Sequence, residues 1–373
     1  MPASCGSRPY TVRVADCFFA LLPNLHSQIL YQIFSVNRKM SVSTISAFGE
    51  SDELCAALTE AGYRHLLVIQ PGAFRARMTR ITLDHVRLSF IEEQLARIAS
   101  ITLAPGTTRV LLPPLRGRLL LGGLMSDSGW IMTHGAGQSV IERLDGPCRW
   151  RDIVISTRHL TAFSRALTGT PIVAPPAVGL WQPTVRALRA LSALHVAAMQ
   201  VTEAHPGEQY SQQALHGLEQ ELIDRLVECL SGRPIGVYEA RGERCAGIMA
   251  SFGQSIDTYP DQLPSIAHIC HELSVDERVL RRCCHAHLGL GPVRYLRLLR
   301  MQRVRRTLQN GTCGTTTVTQ VVQRHGFGQV GRFATEYRAL YGELPSETLR
   351  RGTDDSVLRG RHKIFPNAID QSE

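Results

Sequence analysis

The chain has 373 residues and carries 41 basic against 32 acidic side chains, a formal net charge of +9. This length is enough for two domains with short additional segments. The ten cysteines include no Cys-x-x-Cys pair, and the N-terminus lacks the basic start and clean apolar core of a secretory signal, which excludes a disulfide-rich secreted protein. We therefore expect a cytoplasmic protein with reduced thiols.

The first segment, residues 1–39, is apolar over much of the stretch from Phe18 to Phe34. Pro23 and several polar side chains interrupt this stretch, so it is too polar to cross a membrane, and no membrane partner is expected. Met40 would be a natural translation start. We expect residues 1–39 to be an extension that is either not translated or disordered.

Residues 40–231 are expected to form a β-rich domain that ends in helices. Between about 65 and 155, apolar and polar side chains alternate, as they do in half-buried strands. Several short strands at this spacing indicate an antiparallel barrel or sandwich. The strands are expected at 79–84, 85–91, 101–103, 110–112, 119–123, 130–132 and 151–155.

From residue 156 to 231 the apolar side chains change to helical spacing. Two amphipathic helices are expected, one containing Val185 to Met199 and one containing Leu215 to Leu226. Residues 232–243 contain Gly, Pro and charged residues with little periodicity, which indicates a linker. An all-α domain should follow at 244–351, and residues 352–373 should form a loose tail.

Two helix-turn-helix patterns occur in tandem within residues 264–345. In the first, an apolar stripe runs along Ile266–Leu273, and Ser265 is suited to cap this helix. The next helix should begin near Ser274 or Asp276, and Ser274 with Glu277 fits a capping box. The apolar side of this second helix leaves an outer face made of Arg278, Arg281, Arg282 and His285.

The second unit repeats the arrangement. Thr317 and Gln320 fit a capping box, and Gly326 stands where a helix end needs a left-handed residue. Phe327 should then enter the core. In the following helix the large apolar residues are spaced for burial. This spacing directs four other residues outward: Val330, Gly331, Arg332 and Thr335.

One helix, from Pro292 to about Asn310, should join the two units. A continuous helix is a stiff spacer, so two recognition helices would lie about one duplex turn apart, on the order of 34 Å. Met301, Val304 and Leu308 form its inner stripe. Arginines are expected to cover the rest of its surface: Arg294, Arg297, Arg300, Arg303, Arg305 and Arg306.

The positive charge is concentrated in the same region. Residues 264–351 contain 14 Arg, no Lys and 6 acidic residues, a net charge of +8, whereas the rest of the chain has 27 basic and 26 acidic residues. A basic domain with two helix-turn-helix units is typical of a protein that binds duplex DNA, because each recognition helix enters a major groove while basic side chains neutralise phosphates.

Several separated landmarks in residues 243–351 stand in a fixed order. They are Leu280-Arg281-Arg282, Gly289-Leu290-Gly291-Pro292 with Tyr295-Leu296, His325-Gly326-Phe327, Gly331-Arg332-Phe333 and Tyr341-Gly342-Glu343-Leu344-Pro345-Ser346. Together they resemble the arabinose-regulator (AraC/XylS) family of bacterial transcription factors. One departure stands out, because this family usually has large apolar residues where Cys283 and Cys284 occur.

The resemblance implies roles for particular residues. Family members use seven helices in this domain, and the third and sixth enter the major groove. That makes Arg278, Arg281 and Arg282 one set of DNA contacts and Val330, Gly331, Arg332 and Thr335 the other.

The resemblance also implies an architecture and a set of partners. The N-terminal domain should be a cupin-type barrel that binds an unknown small-molecule effector. Its helices should pack on the barrel and contribute to a homodimer, although a purely intramolecular cap is the alternative. Promoter DNA and RNA polymerase are the expected macromolecular partners.

Chemistry other than binding finds little support. Metal-binding cupins use a His-x-His pair, whereas His85 and His134 each stand alone, so neither a metal site nor a cofactor is expected. The Cys and His residues near Cys270 and Cys283 are better explained as a small apolar core than as a zinc or thiol sensor. The alternative function is an enzyme in the N-terminal domain, targeted to DNA by the helical domain. Cys148 is its candidate nucleophile, although it lacks the Pro-Cys-His-Arg type context of DNA-repair methyl acceptors.

The sequence thus predicts a sequence-specific transcription regulator and no catalytic residues. It leaves open the effector, the target operator and whether transcription is raised or lowered.

Overall fold

The structure, a computed structural model, describes residues 43–126, 129–137, 139–174, 178–208, 210–232, 240–259, 263–311 and 316–352. The predicted extension at 1–39, the tail beyond residue 352 and most of the predicted linker at 232–243 lie outside the described residues. Among the described helices, none combines the length and apolar character that a bilayer crossing requires.

The N-terminal domain is built from antiparallel strands. The described part of the chain contains β1 (Ser43–Phe48), β2 (Tyr63–Val68), β3 (Ala76–Thr82), β4 (Val86–Glu93), β5 (Arg97–Ile101), β6 (Thr107–Arg116), β7 (Leu119–Leu121), β8 (Leu124–Met125), β9 (Ile131–His134), β10 (Val140–Leu144), β11 (Cys148–Ser156) and β12 (Val178–Trp181). They form a seven-stranded sheet in the order β1-β3-β4-β11-β6-β9-β12 and a five-stranded sheet in the order β2-β5-β10-β7-β8. The predicted antiparallel β-rich fold is confirmed.

Helices of this domain cover one outer face. A short α1 (Ser51–Ala57) and a 3₁₀ turn (Thr59–Ala61) precede β2, and α2 (Thr157–Thr168), α3 (Val185–Ala204) and α4 (Gln212–Leu230) follow the sheets. Leu191 of α3 and Leu226 of α4 share a buried cluster with Leu88 and Ile153 of the seven-stranded sheet. The two predicted amphipathic helices are confirmed, and their apolar sides pack within the same molecule.

The two sheets face each other across a core that contains charge as well as apolar side chains. Arg97 and Arg109 are fully buried there, and both bind Glu142, at 2.7 Å each. Arg109 also binds Asp152 at 2.6 Å, and Arg97 binds Glu93 at 2.9 Å. Burial raises the pKa of Glu142, but Arg109 and Arg97 outweigh this effect and hold it at about 2. The paired ions rigidify the barrel interior because each would be costly to leave alone.

The C-terminal helices cover the opposite face of the barrel. They are α5 (Ala240–Thr258), α6 (Ile266–Glu272), α7 (Glu277–Leu288), α8 (Pro292–Gln309), α9 (Val318–Arg324) and α10 (Val330–Tyr341). The side chains of Leu67, Ile98 and Ile141 project from the outer side of the five-stranded sheet. They share one buried cluster with residues such as Phe252 and Leu280. The two domains therefore share an apolar core.

One feature contradicts the expectation that all thiols are free. Cys245 of α5 and Cys283 of α7 form a disulfide, with their Cα atoms 5.2 Å apart. This pairing was not predictable from a local motif, because the two residues are 38 positions apart and meet only when α5 packs against α7. Cys284 and Cys55 remain buried free thiols.

Candidate DNA-binding surface

The first helix-turn-helix unit consists of α6 and α7. The Ser265 hydroxyl caps α6 by accepting a hydrogen bond from the His268 amide at 3.2 Å, as predicted. The expected capping box of Ser274 and Glu277 is wrong: Ser274 adopts a left-handed backbone (φ +51°) that makes the turn, and Asp276 is the N-cap residue before α7. Ser tolerates this region poorly, so the position is a locally strained part of the turn.

The outer face of α7 is exposed as predicted. Leu280, Cys283, Cys284 and Leu288 are buried beneath the helix, whereas its outer face exposes Arg278, Arg281, Arg282 and His285. Arg281 binds Glu277 at 3.0 Å, but both side chains are more than half exposed, so this pair contributes little to stability. Within the described residues, Arg278 and Arg282 form no ion pair or hydrogen bond. Their guanidinium groups are therefore available to phosphates or to base edges.

The second unit consists of α9 and α10. The Thr317 hydroxyl accepts the Gln320 amide at 3.3 Å, and Gly326 has φ +81°, both as predicted. Phe327 is buried and packs on Phe333 with ring centroids 4.6 Å apart. These contacts fix the start of α10 against its scaffold helix.

The outer face of α10 differs in one position from the prediction. Gly331, Arg332 and Thr335 are exposed. Val330, however, is half-buried and packs against the core of its unit, so the expectation that it points fully outward is wrong. As the first residue of α10 it lies at the edge of the buried stripe, where a small rotation about the helix axis turns its side chain inward.

Arg332 is held by its own helix. It binds Glu336 at 3.1 Å, and Glu336 also binds Arg297 of α8 at 2.6 Å. Although burial raises the pKa of Glu336, the hydrogen bonds from Arg297 and Arg332 bring it below its ordinary value. This link orients α10 relative to α8 and leaves the second face less basic than the first.

The helix α8 joins the units as predicted. It has 18 residues, which corresponds to a rod of about 27 Å. Leu296 and Leu299 pack with the first unit, and Val304 and Leu308 pack with the second. The two units are thus attached to one continuous helix.

The expectation that all six arginines of α8 decorate its surface is wrong for two of them. Arg305 is 8% exposed and binds Glu50 at 2.7 Å and Glu343 at 2.6 Å. Arg306 binds Asp52 at 2.6 Å. Both bind carboxylates of the N-terminal domain and so stabilise the contact between domains, although Arg306 stays partly exposed.

The acidic partners Glu50 and Asp52 were missed by the sequence reasoning. They lie at the start of α1, where acidic residues are common because they favour the helix dipole. Because the helix dipole already accounts for these acidic residues, their ion pairs with the C-terminal domain were not predicted. Arg351 also binds Glu50, at 3.3 Å, and Gln302 donates a hydrogen bond to the Leu66 carbonyl at 2.6 Å.

Other candidate sites gain no support. In the described residues, no three His, Cys, Asp or Glu side chains gather in a way that could hold a metal ion. His134 is buried, and the ring of His85 packs at a tilt against that of His159, with ring centroids 4.0 Å apart. Burial raises the pKa of Cys148 to about 12, so this thiol stays protonated near neutral pH and is a poor nucleophile.

Comparison with known proteins gives the same result for the C-terminal region. Residues 269–351 match a family model described as a helix-turn-helix domain. The XylDLEGF operon transcriptional activator 2 of Pseudomonas putida is 35% identical over 128 residues, which cover 34% of this chain and 80% of that protein. The probable thc operon regulatory protein of Rhodococcus erythropolis is 35% identical over 104 residues, but the chain matches only 31% of its length.

A solved structure is similar at a lower level. The AraC-like transcriptional activator CuxR is 12% identical, with a TM-score of 0.38, over 71% of this chain and 96% of that one. The assignment rests instead on the two units on α8 and on the match to most of the Pseudomonas activator. The chain belongs to the AraC/XylS family of transcription regulators.

Proposed function

We propose that the protein is a cytoplasmic, sequence-specific transcription activator that binds promoter DNA through α7 and α10. The observation that carries the proposal is the attachment of two helix-turn-helix units to one helix, each with an exposed recognition face. The relatives named above include a transcriptional activator, which supports activation as the direction of control.

The proposed roles differ between the two faces. Arg278 and Arg282 have no partner among the described residues and suit direct contact with guanine edges or phosphates, and Arg281 can join them by releasing Glu277. On α10, Gly331 allows close approach of the backbone, while Arg332 and Thr335 supply polar contacts. Val330 would contribute at most an apolar edge, because it is partly buried against the core of its unit.

We further propose that the N-terminal domain regulates DNA binding. An effector can do so only if it binds two arrangements of the domains with different affinity. RNA polymerase and a second copy of the chain, in contact through α3 and α4, complete the proposed set of partners on the basis of the family. No observation favours an enzyme, and the pKa of Cys148 speaks against that alternative.

The test uses the full-length protein and a pool of random duplexes. Repeated selection should enrich one sequence, and its affinity should fall steeply as salt rises, because phosphate contacts release counterions. The double substitution of Arg278 and Arg282 by Ala should abolish the enrichment. Recovery of no preferred sequence from the wild-type protein at low salt would overturn the proposal.

A further inference from the structure

A polar cleft of about 590 Å³ lies between the two domains. Strand β2 forms one wall, and the ends of α5, α8 and α9 form the others. Every side chain that lines it is polar or charged: three arginines, two histidines, one threonine and one aspartate. This volume is within the usual range for small-molecule sites.

The cationic groups of the cleft come from both domains. Arg64 of β2 is exposed and has no ion pair or hydrogen bond with any described residue. Arg306 of α8 binds Asp52 through Nε and Nη2, at 2.6 Å each, which leaves its Nη1 without a partner in the described part of the chain. Arg303, one helical turn before Thr307, donates from its Nη1 to the Tyr259 carbonyl at 2.8 Å.

The remaining wall is already hydrogen-bonded. The Nε2 atom of His65 lies 2.6 Å from Oδ1 of Asp257. Asp257 supplies the single carboxylate among the residues that line the cleft. Thr307 lies 3.2 Å from the His325 ring nitrogen. The lining carries three guanidinium groups and one carboxylate, and Asp52 next to the cleft offsets the charge of Arg306. The positive excess of the cleft therefore comes mainly from Arg64.

We propose that this cleft binds a small polyvalent anion, such as a phosphorylated or polycarboxylate metabolite. Guanidinium groups bind phosphate and carboxylate through charge-assisted hydrogen bonds. A long aliphatic chain would have no apolar side chain in the lining to pack against.

The position of the cleft gives the anion a regulatory role, and this part rests on the proposed function. An anion between Arg64 and Arg306 joins β2 to α8, and therefore joins the two domains. Because the anion contacts both domains only when they are docked, its binding stabilises the docked arrangement. The effector class of the regulator is thereby assigned.

The test measures binding of pyrophosphate, citrate and octanoate to the full-length protein by calorimetry at constant ionic strength. Pyrophosphate or citrate should bind saturably and raise the melting temperature. Arg64→Ala should weaken that binding roughly tenfold or more, as loss of one charge-assisted hydrogen bond implies. Arg186→Ala, which removes an exposed arginine at the start of α3, is the matched control and should bind as the wild type does.

Several outcomes would overturn the inference. They are the absence of saturable binding beyond the effect of sodium chloride, tighter binding of octanoate than of the two polyanions, and equal loss in both variants. Measuring DNA affinity distinguishes a metabolite from the phosphates of DNA as the anion. If Arg64→Ala weakens duplex binding as Arg282→Ala does, the cleft holds the DNA backbone and the proposed metabolite site is wrong. Loss of anion binding alone, with sequence-specific DNA binding retained in the wild type, leaves the proposed function intact.

Discussion

Arginine has two separate tasks in the C-terminal domain, and exposure decides between them. Arg278 and Arg282 are exposed and unpaired within the described residues, so binding DNA would replace contacts with water. Arg305 is buried and holds two carboxylates, so it is committed to the fold. The same residue type therefore supplies the proposed DNA contacts and the bond between domains.

Replacing Arg282 by Ala should weaken binding to the selected operator by about 1–3 kcal/mol if its guanidinium contacts a base edge. The loss should be smaller on random duplexes. Fluorescence anisotropy on both DNAs measures the difference, and Arg294→Ala, an exposed position on α8, serves as the control. An equal loss on both DNAs would show that Arg282 contacts only phosphate.

Buried His195 should make stability depend on pH. Desolvation, with a smaller contribution from Arg151, lowers the pKa of its ring to about 3 from 6.5. Between these values the unfolded chain binds a proton that the folded chain refuses, so the free energy of unfolding should fall as pH drops below 6.5, by up to about 1.4 kcal/mol per pH unit for this group. Below pH 3 both the folded and the unfolded chain bind this proton, so the group causes no further loss of stability there.

Urea unfolding at several pH values tests this expectation. His195→Gln should show a shallower loss of stability than the wild type between pH 6.5 and 4.5. Above pH 7.5 the ring is neutral in both states, and the two proteins should then have parallel curves. Identical slopes across the acidic range would contradict the assigned cause.

At the scale of elements, the helix ends determine how each recognition helix is placed. Gly326 ends the scaffold helix α9 in a left-handed conformation, with no atom near the position that a Cβ would occupy. Gly331 lies inside α10, also with open space around it. Only the first of these glycines is required by the backbone.

The two glycines should respond oppositely to alanine. Gly326→Ala should destabilise the protein by about 1–2 kcal/mol, because an L-residue is strained at positive φ. Gly331→Ala should stabilise it by roughly 0.5–1 kcal/mol, because glycine is unfavourable within a helix. Thermal unfolding measures both, and destabilisation by Gly331→Ala would mean that α10 is packed differently.

Sequence periodicity predicted the helices of both units because one side of each is buried and the other is exposed. It missed β10, where Val140 points into the barrel, Ile141 points toward the C-terminal helices and Glu142 points into the ion network. A strand buried on both faces has no alternation, and an inward-facing Glu resembles a surface residue. β1, β2, β8 and β12 were also missed, and the strand expected at 101–103 is β5, at Arg97–Ile101. β2 has the same double burial as β10.

At the scale of the whole molecule, the contact between domains was not predictable from the chain. It combines Leu67, Ile98 and Ile141 with ion pairs from Glu50 and Asp52. Glu50 and Asp52 lie more than 200 residues from the side chains that they bind. No local pattern records such a distance. The predicted DNA-contact residues could be named because they depend only on helical spacing and on a family resemblance.

Substituting Glu50 by Gln should test the ionic part of this contact. It removes the pairs with Arg305 and Arg351 but leaves Arg305 bound to Glu343. Because Glu50 is partly exposed, we expect a loss of about 1–3 kcal/mol in the free energy of unfolding, between the limits for surface and buried pairs. The loss should shrink in 1 M salt.

Glu53→Gln is the matched control, since Glu53 lies in the first turn of α1 and is exposed. It should change the free energy of unfolding by no more than about 0.5 kcal/mol. Equal effects of the two substitutions would show that the contact with Arg305 adds no stability beyond that of an ordinary helix-terminal charge.

The apolar core shared by the two domains sets a minimum free energy that any separation of the domains requires. Exposing Leu67, Ile98 and Ile141 to water together would require a free energy of several kcal/mol, at about 1.5–3 kcal/mol for each side chain. A ligand that prefers a separated form only tenfold contributes about 1.4 kcal/mol and would leave nearly every molecule closed. Under the proposed function, a ligand with so small a preference therefore cannot separate the two domains.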